Sequence, residues 1–240
     1  VAKNQMAFWD HMDELRAKVV QCLYVFFAGF IAAYFLSDHL LDWLREPLFK
    51  YLPEGKRHLY YTGLFENFFV HLRVSGYASL LFLSPVYFLI IWKFISPGLT
   101  QKERKNALPF AIAASFFFLV GAAFAYFVLF PAGVKYFLSY GTAAEVAWLT
   151  LESYISLVLK ILFGFGLAFE LPVLLVLFAK LGIVTPSSMR AHRRTALIVI
   201  TIVAAFVAPP DAVSMLLMMA PLYVLYEGAI FVISKLVRSS

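Results

Sequence analysis

Residues 153–179 read SYISLVLKILFGFGLAFELPVLLVLFA, 27 positions carrying two charges, Lys160 and Glu170. Bilayer hydrocarbon is about 30 Å thick, and at about 1.5 Å per residue a helix needs roughly 20 apolar residues to cross it. This stretch is long enough. Three more runs match it, at about 17–36, 68–92 and 108–130. A fifth, about 195–208, is short, and the sixth, about 212–233, is interrupted by Pro221 and Glu227. Between the last two lies only Pro209-Pro210-Asp211, enough for a tight turn. The pattern predicts an all-α polytopic membrane protein with six transmembrane helices and a short last hairpin. No internal repeat or low-complexity linker divides residues 1–240, so a single integral-membrane domain is expected.

Composition points the same way. Of 240 residues, 62% are hydrophobic and 14% charged, whereas soluble domains are near half apolar and a quarter charged. Disordered, collagen-like and disulfide-rich classes are excluded by the same balance. The lone Cys22 makes no internal disulfide, and the five histidines show no zinc spacing. No phosphate-binding glycine loop, dinucleotide fingerprint or nucleophile elbow occurs. No catalytic set, cofactor, metal or nucleic acid is expected, and the chain is read as a non-enzyme. The first run follows acidic residues and lacks a small-residue cleavage site, so it is read as a retained span.

Lys and Arg decide orientation. The N-terminus, second loop, fourth loop and C-terminal tail hold thirteen of them, and the opposite loops five. Both termini are therefore expected on the cytoplasmic side. On the far side, 38–52 (DHLLDWLREPLFKYL) reads as an amphipathic interfacial segment broken at Pro47, and the third loop is expected to begin at Pro131. Pro85 is expected to kink the second span.

In AFWDHMDELRAKVV (7–20), Phe8, Met12, Leu15 and Val19 form an apolar stripe, with Asp10, Asp13 and Glu14 off it. Read locally, these acids complement a helix N-terminus, and Thr100-x-x-Glu103 has the spacing of a capping box. Read together, Glu14 and Glu103 are two carboxylates on one membrane side, suited to an arginine-rich ligand, because guanidinium pairs with carboxylate through two parallel hydrogen bonds. Glu170 lies deep in its span, where a charge costs at least about 2.5–3.5 kcal/mol, so such residues face a cavity or a partner. A neutral acid bonded to a neighbouring helix is the other reading. Pro172 denies the Ala168 carbonyl its helical donor and should bend the chain there. Arg73 and Lys160 read as snorkelling anchors on the faces of Glu66 and Glu152.

Several segments together resemble the TatC family, the multispanning receptor subunit of the twin-arginine translocase. They are HMDELR (11–16), SPVYFLIIWKFISPGL (84–99), KERK (102–105), AFAYFVLFPA (123–132), FGLAFELP (165–172), APPDAVS (208–214) and PLYVLYE (221–227), in family order over nearly the whole chain. The resemblance implies a receptor for signal peptides of folded exported proteins. Glu14 and Glu103 would receive the paired arginines, with Phe94 and Arg16 beside them. Glu170 would face a signal peptide or a single-span partner within the bilayer. TatA- and TatB-like subunits are the implied partners, in a self-associating complex of the inner (plasma) membrane, energised by the proton-motive force. Leu89 and Ile90 stand where the family commonly has Tyr-Gln, and Met215 where it has Gln. The alternative from another class is a proton-coupled small-solute transporter using Glu170 as its relay.

Overall fold

A computed structural model of the chain describes residues 2–95, 107–139, 148–207 and 211–238. Its helices are α1 (Ala2–Phe35), α2 (Ser37–Phe49), α3 (Glu66–Phe82), α4 (Ser84–Ile95), α5 (Ala107–Phe124), α6 (Phe130–Leu138), α7 (Leu151–Ala168), α8 (Leu171–Lys180), α9 (Pro186–Ala191), α10 (Arg193–Val207) and α11 (Ala212–Arg238), with a short 3-10 turn at Glu54–Lys56. Four stretches are long and apolar enough to cross a bilayer: Met12–Phe35, Leu108–Leu138, Leu151–Lys180 and Ala212–Lys235. The α3–α4 pair, bent by 58°, makes a fifth. At 15 residues α10 reaches about 22 Å, and it falls short as its sequence suggests. The chain divides into two compact units, Val1–Leu41 with Phe68–Phe116, and Asp42–Asn67 with Phe117–Ser240.

In the first unit α1 packs on α4 and is tied to α3. Ser79 Oγ donates to the Phe26 carbonyl at 2.9 Å, and Ser75 Oγ to the His71 carbonyl at 2.7 Å. Inter-helix and back-bonded hydroxyls suit a bilayer, where no water can satisfy them. His71 Nδ1 lies 2.8 Å from Ser37 Oγ, which in turn donates to the Tyr34 carbonyl at 2.7 Å. Trp92 of α4 stacks on Phe110 of α5 at 4.9 Å. The outward stripe of α1 is Tyr24, Phe27, Ile31 and Phe35. Water would not tolerate that stripe on an isolated chain, but lipid does. Met12 and Val19 of the amphipathic stripe are exposed too, and Leu15 is half-buried. The side chains of residues 2–11, including Phe8 and His11, lie outside the description.

Prolines explain the second unit, and they correct two expectations. Helix α2 does not break at Pro47 but runs on to Phe49. Proline has no N–H to give the carbonyl four residues back, which is Trp43, and Tyr126 Oη donates to that carbonyl at 2.7 Å. The Trp43 and Tyr126 rings stack at 4.1 Å, and Tyr154 Oη donates to the next carbonyl, Leu44, at 2.7 Å. Nor does a loop begin at Pro131. A π-helical segment, Ala125–Leu129, precedes it and the helix continues to Leu138. Widening the turn lets the Phe130 N–H reach Ala125, so the proline enters a fresh first turn, where a missing N–H costs nothing.

Helices α5 and α7 approach so closely that two glycines are required. A Cβ on Gly121 would sit 2.6 Å from the Phe165 carbonyl and 2.8 Å from Phe169, and one on Gly166 would sit 2.8 Å from the Phe118 ring. Helix α11 packs against α8, α9 and α10.

Candidate functional site

Glu14 sits on α1, half-buried, with exposed Arg16 two residues on. Phe94 closes α4 in the same compact unit. Phe94 and Leu15, the chain neighbour of Glu14, both border one apolar groove between α1 and α4; Glu14 itself is not among the groove's lining residues. Glu103, the KERK motif and the Thr100–Glu103 capping box lie outside the described residues, as do Gly141, Pro209 and Pro210.

Glu170 belongs to the other unit. Helix α7 ends at Ala168 and α8 begins at Leu171, so Glu170 stands at the break that Pro172 was expected to impose. The Phe169 N–H bonds Phe165 at 2.9 Å and the Glu170 N–H tightens onto Leu167 at 3.1 Å, while the Glu170 carbonyl starts the next helix by accepting from Leu174 at 3.0 Å. Glu170 is only 6% exposed, and among the described residues its Oε1 has no hydrogen-bond partner. A buried polar atom without a partner costs roughly 1–3 kcal/mol. The bond to a neighbouring helix is therefore not made to this oxygen.

Two further carboxylates, Glu66 and Glu227, make contacts that their places in the sequence do not show. On sequence Glu66 shares a face with Arg73. In the structure its Oε2 accepts from Thr62 N at 2.6 Å, Thr62 Oγ1 at 3.0 Å and Gly63 N at 3.1 Å. Its Oε1 accepts from Glu152 N at 3.1 Å, on the first turn of α7. Tyr60 bonds across the same joint, N to the Leu149 carbonyl at 3.1 Å and O to the Leu151 N–H at 2.8 Å, and its ring stacks on Trp148 at 4.0 Å. Glu66 therefore clamps the loop before α3 onto the start of α7. Its local signal was an acid at a helix start after Thr-Gly. Glu227 accepts from Arg193 at 2.7 Å and from Tyr223 at 3.2 Å, and Tyr226 Oη donates to the Met189 carbonyl at 2.8 Å. These contacts join the ends of α9, α10 and α11.

Apolar spans, outward-facing hydrophobic stripes and a carboxyl buried at a break between two helices define a polytopic α-helical membrane protein. The family model described as Sec-independent protein translocase protein (TatC) matches residues 10–221. The chain belongs to that family. It is 37% identical to the Sec-independent protein translocase protein TatC of Desulforapulum autotrophicum over 228 residues, 95% of this chain and 84% of that one. It is also 37% identical to the protein of that name from Campylobacter jejuni, over 94% of this chain and 92% of that one. Among solved structures it is similar to the "Crystal Structure of Twin Arginine Translocase Receptor- TatC in DDM", with TM-score 0.83 and 31% identity over 92% of this chain and 98% of that one.

Proposed function

We propose that this chain is the receptor subunit of a Sec-independent translocase, binding twin-arginine signal peptides of folded cargo at the cytoplasmic membrane surface. Glu14 carries the reading. It is a half-buried carboxylate at the head of the first span, beside the groove end that Leu15 and Phe94 border. Partial burial strengthens a guanidinium–carboxylate pair relative to open water, and the planar fork of arginine makes two bonds where lysine makes one. Glu103 supplies the second carboxylate, one for each arginine. Phe94 gives the peptide an aromatic contact, and Arg16 completes the peptide-facing set.

Glu170 is the intramembrane contact for a single-span TatA- or TatB-like subunit or an inserted peptide, offering an otherwise unbonded oxygen in an apolar wall. The chain forms one integral-membrane domain with both termini cytoplasmic, in the inner membrane, within a self-associating complex driven by the proton-motive force. The thirteen-to-five distribution of Lys and Arg supports that orientation. The solute-carrier alternative is not favoured, because the relatives bear the names of protein translocase subunits.

Photocrosslinkers placed at positions 14, 94 and 103 test the reading. A twin-arginine peptide should label all three, and a Lys-Lys peptide should label them weakly. The double variant Glu14→Gln with Glu103→Gln should lose binding, and unchanged binding in that variant overturns the site.

A further inference from the structure

The α1–α4 groove has a polarity that the peptide-binding reading does not use. It encloses about 490 Å³, the size of a small-ligand site, and runs along α1 from Leu15 past Lys18 and Cys22 to Phe26, with Tyr87 and Phe94 on the opposite wall. Eleven residues separate Leu15 from Phe26, about 16 Å of helix, which is half of the roughly 30 Å hydrocarbon slab and so the depth of one leaflet. Only one end carries charge: the carboxylates Asp13 and Glu14 stand just outward of Leu15, and three cations sit with them. Lys18 lines the groove there, exposed Arg16 precedes it, and exposed Lys93 adjoins Phe94. The deep end, at Phe26 and Leu80, carries no charge. Glu14 lies a further turn outward, and among the described residues no ion pair joins Lys18 to a carboxylate.

We propose that this groove holds an acyl chain of an anionic glycerophospholipid from the cytoplasmic leaflet, with its headgroup phosphate on Lys18. The fit is in charge and length together. A lipid is apolar for one leaflet's depth and anionic at one end, and the groove is the complement of both. The lysine stem covers apolar wall while its ammonium stays at headgroup level, and a basic residue beside an anionic headgroup contributes about 1 kcal/mol. Neither part of the argument invokes a signal peptide, so the site stands or falls apart from the receptor reading.

The test uses the full chain in detergent with phosphatidylglycerol carrying a photoreactive group in one acyl chain, and phosphatidylcholine carrying the same group. Phosphatidylglycerol should label more strongly, with adducts in residues 15–26 and 87–94. Lys18→Gln should lower that labelling about fivefold, the worth of one such cation, and Cys22→Trp should abolish it by filling the groove. Lys18→Gln keeps the part of the stem nearest the helix and removes the charge, so it stays informative if the tryptophan variant fails to fold. Equal labelling by both lipids, adducts elsewhere, or full labelling of Lys18→Gln overturns the proposal. So does displacement of the label by a twin-arginine peptide without headgroup preference, which makes the groove the peptide's seat. Disulfide dimers through Cys22 that exclude lipid make it a seam between copies, and overturn it equally.

Discussion

Alanine at Gly121 should destabilise the protein, although alanine is the better helix former. In an exposed helix interior the exchange gains up to about 1 kcal/mol. Here the new methyl would meet the Phe165 carbonyl at 2.6 Å, and backbone does not swing aside. To restore the 3.4 Å of ordinary contact, α5 and α7 must part by about 0.8 Å. A gap of that order forfeits about a quarter to a half of each contact across it. Three aromatic pairs cross this seam, Phe118–Phe163, Phe124–Phe165 and Phe124–Phe169. At about 1 kcal/mol each they lose about 1 kcal/mol together, and the residual overpacking adds about 1–3 kcal/mol. Set against the propensity gain, the net loss is about 2 kcal/mol, or roughly 4–8 °C in Tm for a chain of this size. Thermal unfolding in detergent, read by fluorescence gel filtration, measures it. Gly133→Ala is the control: nothing lies within 4 Å of its Cβ, so the same exchange should leave Tm equal or higher. A Gly121→Ala protein as stable as Gly133→Ala would refute the close approach. The seam bears on the proposed partner contact because Phe169, which the methyl also meets, directly precedes Glu170.

Other perturbations separate local from long-range causes. Glu66→Ala should lose all four bonds, whereas Glu66→Gln keeps one acceptor oxygen and loses the partners of the other; amide hydrogen exchange should quicken at both Thr62 and Glu152 in the alanine variant and at one of the two in the glutamine variant, and wild-type protection at both in the alanine variant would contradict the clamp. Tyr126→Phe should cost roughly 1–3 kcal/mol by orphaning the Trp43 carbonyl, whereas adding Pro47→Ala should recover most of it by restoring that carbonyl's own donor; a melting temperature that ignores the second change counts against the proline account. Reversing Arg193 or Glu227 alone should loosen the α9–α11 end and raise proteolysis near Met189, and reversing both should restore resistance. Glu170→Ala should leave the fold intact while lowering co-purification of a single-span partner, and normal yield would remove Glu170 from the partner surface.

Much of this architecture is written in runs of residues. Which stretches enter lipid follows from transfer energy summed along the chain, so the long apolar stretches, the bend just before Pro85 and the break before Pro172 were all legible. A proline's missing N–H acts within four residues, and its effect is local. Its remedy is not. Pro47 and Pro131 looked like stops because the donors that rescue them cannot be read locally: a hydroxyl 83 residues away at Tyr126, and a turn widened to π geometry. Glu14, Phe94 and Glu170 could be named from motifs, since a family's chemistry is kept in short words. That Leu15 and Phe94 share one groove, that Glu66 reaches Glu152 and that Arg193 reaches Glu227 are facts of packing. Sequence alone determined what must leave water, whereas only the folded chain decided which polar atoms meet, because a hydrogen bond depends on distance in space and hydropathy on order along the chain.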